Sequence, residues 1–70
     1  MVDMHFVDSS NIEAIGYDPA SQELHVRFLN NTEYVYHGVP QEVFDELMAS
    51  PSKGSFLNRV IRKNYGFSKA

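Results

Sequence analysis

The chain has 70 residues, 43% of them hydrophobic, with four tyrosines and five phenylalanines, which suits one small domain with its own core. The absence of cysteine excludes disulfides and thiolate metal sites and suits a reducing compartment. No apolar run reaches the length of a membrane span, and the first residues lack the basic start and apolar stretch of a signal peptide. We therefore expect a cytoplasmic protein that does not enter the membrane.

The net charge of −3 is unevenly distributed along the chain. Residues 1–50 carry all nine acidic residues and one cation, Arg27, which gives −8, whereas residues 51–70 carry five cations and no acid, which gives +5. This asymmetry indicates an anionic partner, self-association through opposite charges, or neutralisation of one part by the other within the fold.

Three strands are predicted in the first half of the chain. Residues 1–8 alternate loosely and predict either a frayed lead-in or a short edge strand. Residues 12–17 form the first strand, in which Gly16 indicates a bulge or a close approach of another backbone. Residues 18–21, Asp-Pro-Ala-Ser, have the composition of a turn, and the alternating residues 24–36 predict a β-hairpin.

The register of this hairpin determines which residues face the core, because a slip of one residue turns every side chain over. A two-residue turn at Asn30-Asn31 would point Tyr34 and Tyr36 outward. A three-residue loop with Asn31 in the left-handed conformation instead places apolar residues opposite apolar residues and opposite charges together. We predict the three-residue loop, with an inner face that consists of Leu24, Val26, Phe28, Tyr34 and Tyr36.

Two short helices are predicted after the hairpin. Pro40 begins the first, and Ser50-Pro51 ends it. Either Ser50 or Ser52 can cap the second, and Gly66 is its predicted C-terminal stop. The apolar positions that repeat at helical spacing are Val43, Phe44, Leu47 and Met48 in the first helix and Phe56, Leu57, Val60 and Ile61 in the second.

Neither helix is long enough to be stable alone, so both must pack on the sheet. The prediction is one α+β domain over residues 1–70, with a core of residues 9–65 and tails at residues 1–8 and 66–70. A three-stranded antiparallel meander is followed by two helices packed on one sheet face, in the order β-β-β-α-α. The other face is open and presents His25, Arg27, Glu33, Val35 and His37.

One ordered set of residues extends over nearly the whole chain, from Ser9 to Tyr65: Ser9-Ser10-Asn11-Ile12, Gly16-Tyr17-Asp18, Leu24-x-Val26-x-Phe28, Tyr34-x-Tyr36, Val39-Pro40, Ser52-x-Gly54-Ser55-Phe56-Leu57-Asn58, Ile61-Arg62 and Tyr65. This set resembles the KTSC domain, a small domain named for its occurrence at the C-terminus of some lysyl-tRNA synthetases and also found as a stand-alone bacterial or phage protein. The family often has Asn-Gly where this chain has Asn30-Asn31. The resemblance implies RNA binding only by analogy with the synthetase setting.

The second helix carries the residues that we expect to contact nucleic acid. Its cations, which suit phosphate groups, and the polar residues between them are Lys53, Arg59, Arg62, Lys63, Ser55 and Asn58. Free backbone N–H groups at Gly54-Ser55 also favour an anion. The alternative is a solvated helix face that balances the acidic sheet and first helix.

The two tyrosines of the Tyr-x-Tyr motif have two interpretations. Exposed aromatic residues on a sheet can stack on nucleobases. The predicted register points Tyr34 and Tyr36 inward, so we expect them to pack under the helices with their hydroxyls at the rim.

A metal site and an enzymatic activity have weaker support in the sequence than nucleic-acid binding. His25, His37 and Glu23 could form a three-ligand metal site on the open face, but a fourth ligand is missing, and we predict neither a metal nor another cofactor. Ser9, Ser10 and Ser55 do not lie in a nucleophile elbow, and the chain has no glycine-rich phosphate loop, so we predict a non-enzyme.

Two functions follow from these patterns. The first is a binding module for RNA, including tRNA, or for another nucleotide-based anion, through the basic second helix. The second is a protein-interaction or homo-oligomerisation module that uses the open sheet face.

Overall fold

Five antiparallel strands form one sheet in a computed structural model that describes residues 2–70. The strands follow one another across the sheet in chain order. They are β1 (His5–Phe6), β2 (Ile12–Asp18), β3 (Glu23–Phe28), β4 (Glu33–Tyr36) and β5 (Phe67–Lys69). The α+β class and the central meander β2-β3-β4 are as predicted, but the predicted number of three strands is wrong.

The two additional strands lie at the edges of the sheet. β1 is a short edge strand, one of the two alternatives predicted for the N-terminal residues, and it covers only His5–Phe6, whereas residues 66–70, predicted as a tail, contribute β5. The N–H of His37 donates to the carbonyl of Gly66 at 2.9 Å, and the N–H of Ala70 donates to the carbonyl of Glu33 at 2.9 Å. Strands of two and three residues are too short to show a period-2 pattern, which is why the sequence did not predict β5.

The hairpin of β3 and β4 adopts the predicted three-residue loop. Val26 lies opposite Tyr34. The N–H of Phe28 donates to the carbonyl of Thr32 at 2.8 Å, and the N–H of Asn31 donates back to the carbonyl of Phe28 at 3.0 Å. Asn31 has a φ of 69°, the left-handed conformation that the register requires. The tyrosines of β4 therefore belong to the inner face.

Two helices cover this inner face. Helix α1 (Gln41–Ala49) follows Pro40 and ends at the extended Ser50, as predicted. Helix α2 consists of three consecutive segments, an α-helical Lys53–Phe56, a π-helical Leu57–Ile61 and an α-helical Arg62–Asn64. The wider π-helical turn was not predicted, because its apolar spacing over a single turn is the same as that of an α-helix.

The ends of α2 differ from the prediction. Ser52 is the N-cap residue, but its side chain makes no capping hydrogen bond. The hydroxyl of Ser50 donates to the carbonyl of Ser52 at 3.1 Å and does not cap the helix. At the other end Tyr65 is extended, with φ −130° and ψ 140°, and Gly66 is not left-handed. The chain passes directly from α2 into β5, so no left-handed residue is needed there.

The core lies between the inner face and the helices. Its buried cluster consists of Ile12, Ile15, Leu24, Val26, Tyr36, Val39, Leu47, Leu57 and Ile61. The ring of Tyr17 stacks on Phe44 with a centroid distance of 4.8 Å, and its hydroxyl donates to the carbonyl of Val39. These contacts hold α1 on the sheet. Within residues 2–70, no helix has the length and apolar character needed to cross a membrane.

The outer face of the sheet is less open than predicted. A Cβ on Gly16 would lie 2.6 Å from Cγ1 of Val2 and 2.8 Å from the backbone oxygen of Asp3, so the N-terminal residues pass directly over this glycine. The predicted close approach at Gly16 is confirmed, whereas the register shift in β2 lies between Ile12 and Ala14.

Replacement of Gly16 by alanine is expected to displace the N-terminal residues and lower the free energy of unfolding by about 1–2 kcal/mol, because the added methyl group meets backbone as well as side chains. Gly66→Ala is the matched control, since a Cβ on Gly66 has no atom within 4 Å. Chemical denaturation of both variants measures the difference. Equal stability of the two variants would contradict the packing described for Gly16.

Candidate nucleic-acid interface

The exposed side of α2 presents two rows of residues at a spacing of four. Ser55, Arg59 and Lys63 form the outer row, in which Nε of Arg59 donates to Oγ of Ser55 at 3.0 Å. Gly54, Asn58 and Arg62 form the second row, which lies towards the sheet. Arg59, Arg62 and Lys63 are all exposed, as predicted for a basic face.

Lys53 differs from the other three cations. Its side chain is half-buried at the start of α2, and Nζ donates to the carbonyl of Ser50 at 3.1 Å. Part of its hydrogen-bonding capacity is therefore used within the protein. The ammonium still borders a polar depression described below.

In the part of the chain that the structure describes, no carboxylate oxygen lies within 4.0 Å of a cation of α2. Within residues 2–70, every ion pair shorter than 4.0 Å lies on the outer face of the sheet. There Arg27 contacts Glu13 at 3.6 Å and Glu33 at 3.4 Å. Direct ion pairing therefore involves the acidic residues of the sheet and not the cations of α2.

Three neighbouring depressions share lining residues, and we call them together the groove. The polar depression, of about 350 Å³, is lined by residues 8–11, 51–55 and Asn58. The hairpin depression, of about 440 Å³, is lined by Ser10, Asn11, Phe28, Leu29, Asn30, Thr32 and Tyr34. The aromatic depression, of about 240 Å³, is lined by Phe28, Tyr34, Tyr36, Leu57, Asn58, Arg62 and Phe67.

The groove brings together segments that are far apart in the sequence. Asn58 borders the polar and aromatic depressions, and Phe28 and Tyr34 border the hairpin and aromatic depressions. A Cβ on Gly54 would lie 2.7 Å from Oδ1 of Asn11, so glycine allows the loop before β2 to approach α2. The π-helical segment contains Asn58, and π-helical turns occur frequently at functional sites.

The two tyrosines of the motif have different environments. Tyr36 is 4% exposed, and burial raises the pKa of its hydroxyl, an effect that the nearby charge of Arg62 partly opposes. Tyr34 is only half-buried, with its ring edge-to-face against Phe28 at 5.7 Å and against Phe67 at 5.1 Å. Tyr36 is thus a core residue, as predicted, whereas Tyr34 packs on the core and also lines the groove.

Four residues that line the groove were not predicted as binding residues: Phe28, Phe67, Ser10 and Asn11. Phe28 was predicted to be on the inner face, and its position at the end of β3 leaves it half-buried at the groove. Ser10 and Asn11 were part of the family motif, which could have indicated a shared site. No sequence pattern indicated a role for Phe67, because its strand has only three residues and shows no period-2 alternation.

The two histidines of the outer face contact carboxylates. Nδ1 of His37 lies 3.7 Å from Oε2 of Glu23, and Nδ1 of His25 lies 3.6 Å from Oε2 of Glu33. In the described part of the chain, no group of three or more histidine or acidic side chains is arranged to hold a metal ion. These residues instead form a chain of polar contacts across β3 and β4.

The fold and this surface define a small α+β module with a groove beside a basic helix. The chain belongs to the KTSC domain family, whose model matches residues 8–65. It is similar to a KTSC domain protein from Yersinia pestis known from a crystal structure, with a TM-score of 0.95 and 34% identity over 100% of this chain and 99% of that chain.

The curated relatives include a protein of about the same length as this chain and a much longer one. A protein of Tsukamurella paurometabola is 48% identical over 62 residues, which are 89% of this chain and 92% of the relative. A lysine–tRNA ligase of a Nostoc species is 32% identical over 62 residues, which are 89% of this chain but 11% of the ligase. The KTSC domain therefore occurs both in small bacterial proteins and as a small part of lysine–tRNA ligases.

Proposed function

We propose that this chain is a small non-enzymatic module that binds RNA through the exposed face of α2. The observation that carries this proposal is the set of exposed cations that, within residues 2–70, have no carboxylate oxygen within 4.0 Å, namely Arg59, Arg62 and Lys63. Three cations on one face can neutralise several phosphate groups, and this non-specific electrostatic contribution dominates many protein–nucleic acid affinities.

The relationship to lysine–tRNA ligases supports RNA as the anion. Those enzymes act on tRNA by name, and the matching part is 11% of the Nostoc ligase. A domain that occurs within a tRNA ligase and also in small separate proteins is consistent with a binding role that does not need the rest of the enzyme.

The outer face of the sheet is a weaker candidate for binding. Val35 is half-buried, and the charged residues around it are paired with one another. The acidic groups Glu23 and Glu33 on this face also oppose an anionic ligand. We therefore place the RNA on the opposite side of the sheet, where α2 lies.

The proposal is tested by titration of fluorescently labelled tRNA and single-stranded RNA with the purified protein at two salt concentrations. We expect binding at low salt that weakens steeply at high salt, because phosphate contacts release condensed counterions. A complete lack of binding at low salt would exclude RNA and direct attention to protein partners.

A further inference from the structure

We propose that the aromatic depression receives one unpaired nucleobase, so that the bound RNA is single-stranded where it crosses α2, β4 and β5. This inference rests on the proposed function, since it specifies the form of RNA that the basic face of α2 holds. The site combines an exposed aromatic ring with flanking cations and a carboxamide.

The aromatic ring is provided by Phe67. Its side chain is 53% exposed, and its ring centroid lies 5.1 Å from that of Tyr34 and 5.6 Å from that of Tyr36. Both neighbours pack against the ring, and more than half of the residue's surface remains accessible. Rings held in this way can stack on any base, because every base has a π-face.

Exposed apolar side chains lie beside two of the three depressions. Among residues 2–70, the large apolar side chains that are exposed are Phe6, Leu29 and Phe67. Two of them border the groove, since Leu29 lines the hairpin depression and Phe67 lines the aromatic depression. Exposed apolar side chains beside a depression suit a ligand with apolar surface of its own.

Two cations lie near this ring in the fold. Arg62 lines the aromatic depression, and Lys69 lies directly opposite Tyr34 in the register of β4 and β5, on the same face of the sheet. A base in the depression would have phosphates within reach of these two side chains. The exposed carboxamide of Asn58 offers a donor and an acceptor for the edge of the base.

The polar depression is less suited to a phosphate. Asp8 contributes a carboxylate to its lining, which opposes the charge of Lys53. The acid-free lining of the aromatic depression therefore has the better electrostatic match to RNA.

The aromatic depression is smaller than a site that encloses a complete small molecule. Its volume of about 240 Å³ is below the roughly 300–1,000 Å³ of sites that enclose complete small molecules. In an A-form duplex the faces of the bases are stacked on one another and are not available to a side chain. The ligand at this position must therefore be unpaired.

The test uses a short labelled single-stranded RNA, the same strand annealed to its complement, and the same strand with abasic positions. We expect the single strand to bind more tightly than the duplex or the abasic strand. Phe67→Ala should weaken binding of the intact single strand about tenfold and leave binding of the abasic strand unchanged. Phe67→Tyr should restore the affinity.

Phe6→Ala is the matched control, because Phe6 is 78% exposed and lies in β1, at the opposite edge of the sheet. This variant should bind every RNA as the unmodified protein does. A Phe67→Ala variant that had merely lost its fold would also bind the abasic strand less well, so the comparison separates stacking from stability.

Two results would overturn the inference, and they differ in meaning. If the single strand binds in a salt-dependent manner but Phe67→Ala and Phe6→Ala bind it equally, the base does not stack at this site and the proposed RNA-binding function stands. If none of the three RNAs binds at low salt, the inference and the proposed function are both wrong.

Discussion

Replacement of Arg59 and Arg62 together by alanine is expected to weaken RNA binding about 25-fold at about 0.1 M salt. Each phosphate contact on a single strand contributes about 0.7 to the slope of the logarithm of affinity against the logarithm of salt concentration, which corresponds to about fivefold per contact at this salt. Two lost contacts should therefore also reduce the magnitude of that slope by about 1.4. Fluorescence anisotropy at several salt concentrations measures both quantities.

The control for this double variant makes the same change in net charge at positions outside the groove. Loss of two arginines changes the net charge from −3 to −5, and Gln41→Glu combined with Ala49→Glu on α1 makes the same change. Gln41 and Ala49 are both exposed and lie outside the groove. The control should lose much less affinity, because it removes no phosphate contact. Equal losses would mean that net charge, and not the face of α2, determines binding.

Replacement of Leu47 by alanine is expected to lower the free energy of unfolding by about 3 kcal/mol. Leu47 is completely buried in the core cluster between α1 and the sheet, and a Leu→Ala change at such a site removes apolar burial and leaves a cavity. A loss of this size is a large share of the stability of a small domain, and it should lower the melting temperature by about 12–24 °C.

Leu29→Ala makes the same chemical change at an exposed position and serves as the control. The side chain of Leu29 is 56% exposed, so its truncation should change the stability by less than about 0.5 kcal/mol. Thermal unfolding followed by circular dichroism compares the two variants. A similar effect of both substitutions would contradict the position assigned to α1 on the sheet.

The hairpin shows what the sequence can predict in this fold. Pairing of apolar residues and of opposite charges selected one register, and Asn31 was able to adopt the left-handed conformation that this register needs. The register then placed Tyr34 and Tyr36 on the inner face. Side-chain alternation contains this information because one face of the sheet is buried and the other is not.

The features that the sequence did not predict depend on contacts between distant segments. Strand β5 exists because Phe67 and its neighbours pair with β4, and three residues carry no periodic signal of their own. The π-helical turn preserves the burial of Leu57 and Ile61, so the apolar pattern alone cannot distinguish it from an α-helical turn.

The sequence predicted the positive charge of the candidate site but did not predict the groove beside it. The basic residues of α2 follow directly from the uneven distribution of charge in the sequence. The groove beside them depends on the approach of Asn11 to Gly54 and on the position of Phe67 next to Tyr34. Both contacts join segments that are far apart in the sequence.

The most direct test of RNA binding by α2 is the salt dependence of the affinity of the unmodified protein for single-stranded RNA. The three exposed cations of α2, Arg59, Arg62 and Lys63, should alone contribute about −2 to the slope of the logarithm of the association constant against the logarithm of the salt concentration. A slope near zero, or no binding at low salt, would show that the basic face of α2 does not hold RNA phosphates.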